Sequence, residues 1–299
     1  MIKLNITIGI PAFNEEKNIA SIILKLKNKV DSIIVCNDGS TDLTGKIAKE
    51  LGVTVIEHEK NLGYGGSIQS IFLKAKEINS DILVTFDADG QHQIEDIQKV
   101  IDPILKKEAD IVIGSRFLKD NMKGKIPSYR KFGIQVITKL TNISIKESLT
   151  DSQSGFRAYN NKVINEIFPS DQGMGISTEI LIKASQKKLV ISEVPIEISY
   201  EGDTSTYNPV SHGASVVFST LRFTSMEHPL KFFGIPGVII SVIGLFFVGW
   251  TIQYFTQYGN FPPILALIAI GCSILGIVLL MNGILLYSLI SIIKDKLKQ

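Results

Sequence analysis

Between Phe232 and Ile293 the chain carries no Asp, Glu, Lys, Arg or His, a run of 62 residues. A bilayer hydrocarbon core about 30 Å thick takes roughly 20 apolar residues per helix, so such a run suits two spans and a turn. The turn reads "TQYGNFPP", residues 256–263, where Gly259, Asn260 and two prolines interrupt the apolar pattern. Spans are expected near 234–255 and 264–289. A buried hairpin of a soluble protein would normally show a polar stripe, and neither segment has one. Lys231 precedes the first span, Lys294, Lys296 and Lys298 follow the second, and the loop between them has no Lys or Arg. The positive-inside rule then places both termini and the N-terminal domain in the cytoplasm, on a two-span protein of the cell membrane.

The remaining composition excludes other classes. Lys and Arg number 31 against 29 Asp and Glu, so no basic surface announces a nucleic acid partner. The opening "MIKLNITIGIPAFNEE" alternates like a strand and stops at Pro11, unlike a signal peptide. Cys36 and Cys272 are too few for a disulfide framework or a metal cluster, which fits a reducing cytosol.

Over the first 115 residues, strand and helix patterns alternate. "LNITIGI", "SIIVC", "VTVIE", "DILVTF" and "DIVIG" read as strands. Between them Ile19, Ile22, Ile23 and Leu26 recur at helical spacing, as do Ile94, Ile97, Ile101, Ile104 and Leu105. This order predicts an α/β fold: a mostly parallel sheet with helices on both faces and ligands beyond the carboxyl ends of the strands. Further helices are expected near 128–140 and 177–187, followed by "VISEVPIEISY". The domain division expected is 1–205 for a catalytic domain, 206–231 for an amphipathic juxtamembrane segment, and 232–299 for the spans and a short tail. A helix lying in the membrane interface is expected over 213–231.

Four loops at strand ends carry the polar residues. They are "PAFNEE" (11–16), "NDGSTD" (37–42), "NLGYGGS" (61–67) and "DADGQH" (87–92). Gly90 alone would turn the last of these, so two mutually repelling aspartates call for another reason. A divalent cation that also takes phosphate ligands supplies one, since Mg²⁺ commonly uses one or two carboxylates plus substrate phosphates. A solvated Asp-rich turn is the competing reading. "NLGYGGS" is no Walker loop, because no Gly-Lys-Ser or Gly-Lys-Thr follows it. It could instead enter a helix. The first strand is not followed by Gly-x-Gly-x-x-Gly, against a dinucleotide-binding Rossmann domain.

Jointly and in this order the loops resemble those of the family 2 glycosyltransferases with the GT-A fold. Within that group they are most similar to the polyprenyl-phosphate glycosyltransferases of the dolichol-phosphate mannose synthase type. "GSRF" (114–117), "SYRK" (128–131) and "DSQSGFRAY" (151–159) extend the resemblance over roughly residues 5–200. It implies a GT-A Rossmann-like domain, a UDP- or GDP-linked sugar donor, Mg²⁺ or Mn²⁺, and a dolichyl or undecaprenyl phosphate acceptor. It also implies roles. Pro11, Phe13 and Glu15 would line the base and ribose, and Asp38 would hydrogen-bond the base. Asp87 and Asp89 would hold the cation against the diphosphate, with Ala88 and Gln91 beside them in the donor site. Arg116 and Arg130 would face the phosphates of donor or acceptor, which suits the planar guanidinium fork. Glu179, in "GISTEIL", lies near where related enzymes carry a base followed by Asp. Ile180 follows here, and Glu179 stands between a base and a structural or sugar-hydroxyl contact. His92 stands between a residue backing the metal site and a solvent-facing turn.

The implied reaction is a single displacement with inversion at the anomeric carbon. Its nucleophile is a lipid phosphate oxygen with a second pKa of about 6, so no strong base is needed. One departure bears on the donor. The family often has an Arg and a later Ser-Lys in a loop closing on the phosphates, whereas "SYEGDTSTYNPVSHG" (199–213) holds Glu201, Asp203 and His212 but no Arg or Lys. A processive polysaccharide synthase would show Gln-x-x-Arg-Trp, yet the only tryptophan is Trp250, inside a span. A catalytically silent scaffold should have lost a metal carboxylate or a phosphate arginine. Homo-oligomers through the paired spans are compatible with the pattern.

Overall fold

The computed structural model describes residues 4–118, 128–145, 147–197, 221, 225 and 228–296. The expected interface helix over 213–231 therefore lies mostly outside the described residues, as do loop 199–213 and His212. By contacts the chain divides into two units, Met1–Thr220 and Leu221–Gln299.

The apolar runs of the first unit form strands β1 (Ile6–Ala12), β2 (Ser32–Asn37), β3 (Thr54–Glu57), β4 (Ile82–Thr85), β5 (Ile111–Ser115), β6 (Arg157–Asn160) and β7 (Ile191–Pro195). They make one sheet in the order β3-β2-β1-β4-β6-β5-β7. All pairings are parallel except those of β6, which is antiparallel to both β4 and β5. Around the sheet lie α1 (Ile19–Leu26), α2 (Thr44–Glu50), α3 (Gly63–Glu77), α4 (Asp96–Leu105), α5 (Ser128–Ser144), α6 (Asn161–Glu166) and α7 (Ile176–Gln186).

Alternation along β1 decides which helix covers which face. Ile8 and Ile10 join one core with Ile19, Ile22, Ile23 and Leu26 of α1 and Ile97, Val100, Ile101 and Ile104 of α4. On the other face Gly9 lets α3 approach, since a Cβ there would collide with Ile71. β2 and β4 lie on opposite sides of β1, so the carboxyl ends of β1, β2 and β4 surround the switch in strand order. β6 was not legible as a strand: "RAYN" is short, with no apolar run and no turn signal of its own.

The second unit is a hairpin of α8 (Ile235–Tyr258) and α9 (Pro263–Lys296), entered through a π-helical turn at Leu230–Gly234. Its stretches Leu230–Tyr258 and Pro263–Ile292 have mean hydropathies of 2.3 and 2.9 and are long and apolar enough to cross a bilayer. Glycines set their close packing. A Cβ on Gly237 would lie 2.9 Å from Leu280, and one on Gly244 2.6 Å from Ser273 Oγ. Gly259, with φ of 67°, closes α8 in the left-handed conformation.

Candidate active site

The loop after β1 is tied to the loop after β2. Asn14 takes φ of 56°, a conformation Asn tolerates better than most residues. From there its Oδ1 accepts from the Thr41 backbone at 2.9 Å, while its own N–H donates to Ser40 Oγ at 3.0 Å. Glu15 N–H donates to Thr44 Oγ1 at 2.7 Å, and Glu16 exchanges hydrogen bonds with Asp42 and the backbone of Leu43. Pro11, Phe13 and Glu15 are half-buried along this seam.

Asp38 sits deeper than expected. It is 3 % exposed, and it accepts from His58 Nδ1 at 2.6 Å and from the backbone N–H groups of Leu62 and Gly63 at 2.9 Å each. These contacts fill three of roughly four acceptor positions on a carboxylate. Asp38 therefore anchors the start of α3, whose first backbone N–H groups have no helical partner. It orders this end of the site. Behind it, burial pushes the Cys36 thiol up to about 12, so it is no nucleophile at neutral pH. "NLGYGGS" is the entry to α3: a Cβ on Gly65 would run into the backbone of Asp171, Gln172 and Gly173. Its glycines serve close packing of two loops.

Asp87 and Asp89 follow β4. Asp87 is half-buried, and its Oδ2 lies 3.1 Å from His92 Nε2. The His92 ring packs against Phe86 and Phe156, with centroids 5.6 and 5.0 Å away. His92 is thus the residue backing Asp87, and the solvent-facing alternative falls. Asp89 is exposed, with Oδ1 accepting the Gln91 N–H at 3.0 Å, a contact that shapes the turn. The Ala88 methyl, 4 % exposed, packs into the core. Glu15 shares the electrostatic environment of the pair. Burial first, and then the charges of Asp89, Asp42 and Asp87, raise its carboxyl above the ordinary value. Excess negative charge at the ends of β1 and β4 is what a cation relieves.

Two further residues assigned to the site are engaged within the fold. Arg116 is 8 % exposed, and its Nε and Nη2 bind Asp151 Oδ2 and Oδ1 at 2.6 and 2.8 Å. It is held by a fully buried carboxylate. Glu179 is 0 % exposed and accepts from Ser170 N–H and Oγ and from Asp171 N–H, with Lys183 Nζ 2.6 Å away. Burial raises its carboxyl, but the bonds from Lys183, Ser170 and Asp171 outweigh that and leave it lowered. These bonds make Glu179 a cap on the 169–171 loop, the structural side of the two readings. Arg130 lies in the first turn of α5, and its side chain is outside the described residues.

Reading the motifs missed how "DSQSGFRAY" works. Asp151 holds Arg116, and Arg157, 1 % exposed, donates to the carbonyls of Ser154, Ser177 and Ser152 at 2.7–2.8 Å. Gly155 sits beside Asp87 and Tyr64. Burial, and after it the Asp87 charge, push the Tyr64 phenol well above its ordinary value, so it keeps its proton. The one sequence signal for these roles was a Gly between Ser154 and Phe156, which is too common to be read alone.

Among the described residues no three His, Cys, Asp or Glu gather into a metal cage. Two oxygen donors on one loop instead fit a hard cation that completes its shell with substrate phosphates and water, as Mg²⁺ does. Asp87 and Asp89 would hold it.

A mostly parallel sheet with one antiparallel strand, and an Asp-x-Asp loop where the strand order switches, define a GT-A glycosyltransferase domain. The glycosyl transferase family 2 profile matches residues 7–168, and the chain belongs to that family. It is 38 % identical over 211 residues to a UDP-N-acetylglucosamine–dolichyl-phosphate N-acetylglucosaminyltransferase of Methanococcus voltae, covering 64 % of this chain and 84 % of that one. It is 30 % identical over 257 residues to a dolichol-phosphate mannosyltransferase of Pyrococcus furiosus, covering 82 % and 68 %. Among solved structures it shares its fold with glucosyl-3-phosphoglycerate synthase of Mycobacterium tuberculosis in complex with Mn²⁺, UDP and phosphoglyceric acid. That match has a TM-score of 0.60 at 18 % identity, covering 74 % and 78 %.

Proposed function

We propose that the protein transfers one sugar from a UDP- or GDP-linked donor to a polyprenyl phosphate, with inversion, at the cytoplasmic face of a membrane that it spans twice. One observation carries the reading: Asp87, Asp89 and Glu15 concentrate negative charge at the ends of β4 and β1, in a chain whose relatives are named for dolichyl-phosphate transfer. The lysines flanking the two apolar helices support the orientation.

Mg²⁺ or Mn²⁺, when bound, would neutralise the charge that develops on the departing nucleotide diphosphate. The chain's own part is positioning. Asp87 and Asp89 fix the diphosphate end of the donor, and the loop of Pro11, Phe13 and Glu15, laced to Ser40–Thr44, forms the wall for base and ribose. Arg116 and Arg130 are the arginines assigned to the phosphates. The acceptor phosphate is largely ionised at neutral pH, so its oxygen attacks the anomeric carbon without a protein base. That agrees with the sequestered state of Glu179.

The test uses full-length protein in lipid nanodiscs, dolichyl or undecaprenyl phosphate, Mg²⁺ or Mn²⁺, and a panel of UDP- and GDP-sugars. Mass spectrometry should find one glycosylated lipid phosphate, lost on chelation. Nucleotide binding without any lipid product would move the acceptor to another class.

A further inference from the structure

Two segments meet at the Asp87 carboxylate, and Tyr64 stands beside one of them. His92, five residues on, puts Nε2 3.1 Å from Oδ2. Tyr64 comes from the entry to α3, and Gly155 from the loop before β6. A Cβ on residue 155 would stand 2.8 Å from Asp87 Oδ2, 2.9 Å from Oδ1 and 2.7 Å from the Tyr64 hydroxyl. Real Cβ contacts are not that short, so any side chain there would displace the carboxylate or the phenol. Gly155 is not at positive φ, so its bareness answers to space and not to backbone conformation. The His92 side chain is 6 % exposed, with Nδ1 buried and unpartnered. Its ring is wedged between Phe86 and Phe156, and its hydrogen bond among the described residues goes to Asp87.

We infer that His92 and the bare Gly155 are positioning residues for the Asp87 carboxylate that takes the cation, His92 through its hydrogen bond and Gly155 through the space it leaves. The inference rests on Asp87 being a cation ligand, as in the proposed function. The physical reason is that a flexible carboxylate must be ordered when a cation binds, and partners already holding it remove that ordering step. Partners behind metal ligands are typically worth about 10–100-fold in affinity. "DSQSGFRAY" thereby has a second role. Besides burying Asp151 and Arg157, it leaves a gap shaped for one carboxylate.

The experiment measures Mn²⁺ binding by electron paramagnetic resonance on the full chain in nanodiscs, with Mn²⁺ alone and with Mn²⁺ plus UDP. Gly155→Ala should weaken Mn²⁺ by about tenfold or more. His92→Phe keeps a ring between Phe86 and Phe156 but lacks the N–H, and it should raise KM for Mn²⁺ more than it lowers kcat. Wild-type Mn²⁺ affinity in Gly155→Ala, or an unchanged KM for Mn²⁺ in His92→Phe, would overturn the inference. If the unmodified protein bound no Mn²⁺ even with UDP, the cation reading itself would fall, a result distinct from either.

Discussion

Arg116 and Asp151 form a buried two-pronged ion pair, 2.6 and 2.8 Å long, and Asp151 is itself steadied by its backbone N–H donating to Glu193 Oε1 at 2.9 Å. Both partners lie in motifs that resemble substrate-binding ones, yet they meet each other. Removing one partner of a buried pair strands the other's charge, which typically costs about 3–5 kcal/mol. Asp151→Asn and Arg116→Ala should therefore each lower the thermal unfolding temperature sharply. Arg116→Lys should rescue little, since an ammonium cannot reproduce the fork. A variant of Arg116 that unfolds like wild type but binds nucleotide poorly would return that arginine to the donor site.

Glu179 separates structure from catalysis in the same way. Losing a charged acceptor of several hydrogen bonds should destabilise Glu179→Gln by about 2–3 kcal/mol. Its folded pKa is lowered, so its stabilisation is present above the ordinary carboxylate value of 4.5 and is lost as pH falls through the folded value. The stability gap between wild type and Glu179→Gln should thus close in acid, as denaturation across pH would record. An unchanged unfolding temperature with a collapsed kcat would reinstate the base.

Glu15 has the opposite sign. Its pKa is raised, so between 4.5 and the folded value the folded chain holds the extra proton and stability falls as pH rises. Glu15→Gln should be more heat-stable than wild type at neutral pH in chelator, and the gain should vanish below about 4.5. Mn²⁺ should narrow the difference at neutral pH. A neutral-pH gain that Mn²⁺ leaves untouched would place Glu15 outside the cation's field.

Asp89 is exposed on its loop, so Asp89→Ala should leave folding and membrane insertion intact. Turnover should drop to background, as should wild-type turnover in EDTA. Product formation by mass spectrometry checks both, and full activity in metal-free buffer would remove the cation from the mechanism.

Arg130→Ala should weaken use of the lipid phosphate more than binding of the nucleotide. Steady-state kinetics against the lipid, set beside calorimetry with UDP or GDP, would compare the two. An equal loss in both would reassign the arginine to the donor.

Much is legible in the order of residues alone. The charge-free run from Phe232 to Ile293 announces two apolar helices, because hydrocarbon tolerates no charge and needs a fixed length. The strands of the first 115 residues are readable because buried parallel strands are continuous apolar runs bounded by polar turns. Placing Asp87 and Asp89 at a strand end follows from the same pattern. What the tertiary structure alone decided was the partner of each polar side chain. Asp38, Arg116 and Glu179 look like ligands in sequence, and the fold gives each of them a buried hydrogen-bond partner. Their partners, His58, Asp151 and Ser170, lie between nine and 35 residues away, a separation no local pattern encodes. β6 and Gly155 escaped for a related reason. A four-residue strand and a bare Cα gain meaning only from neighbours that the chain brings back, here β4, β5 and the carboxylate of Asp87. Hydrophobic periodicity is a local property of the chain, whereas the pairing of a buried charge is a property of the packed interior.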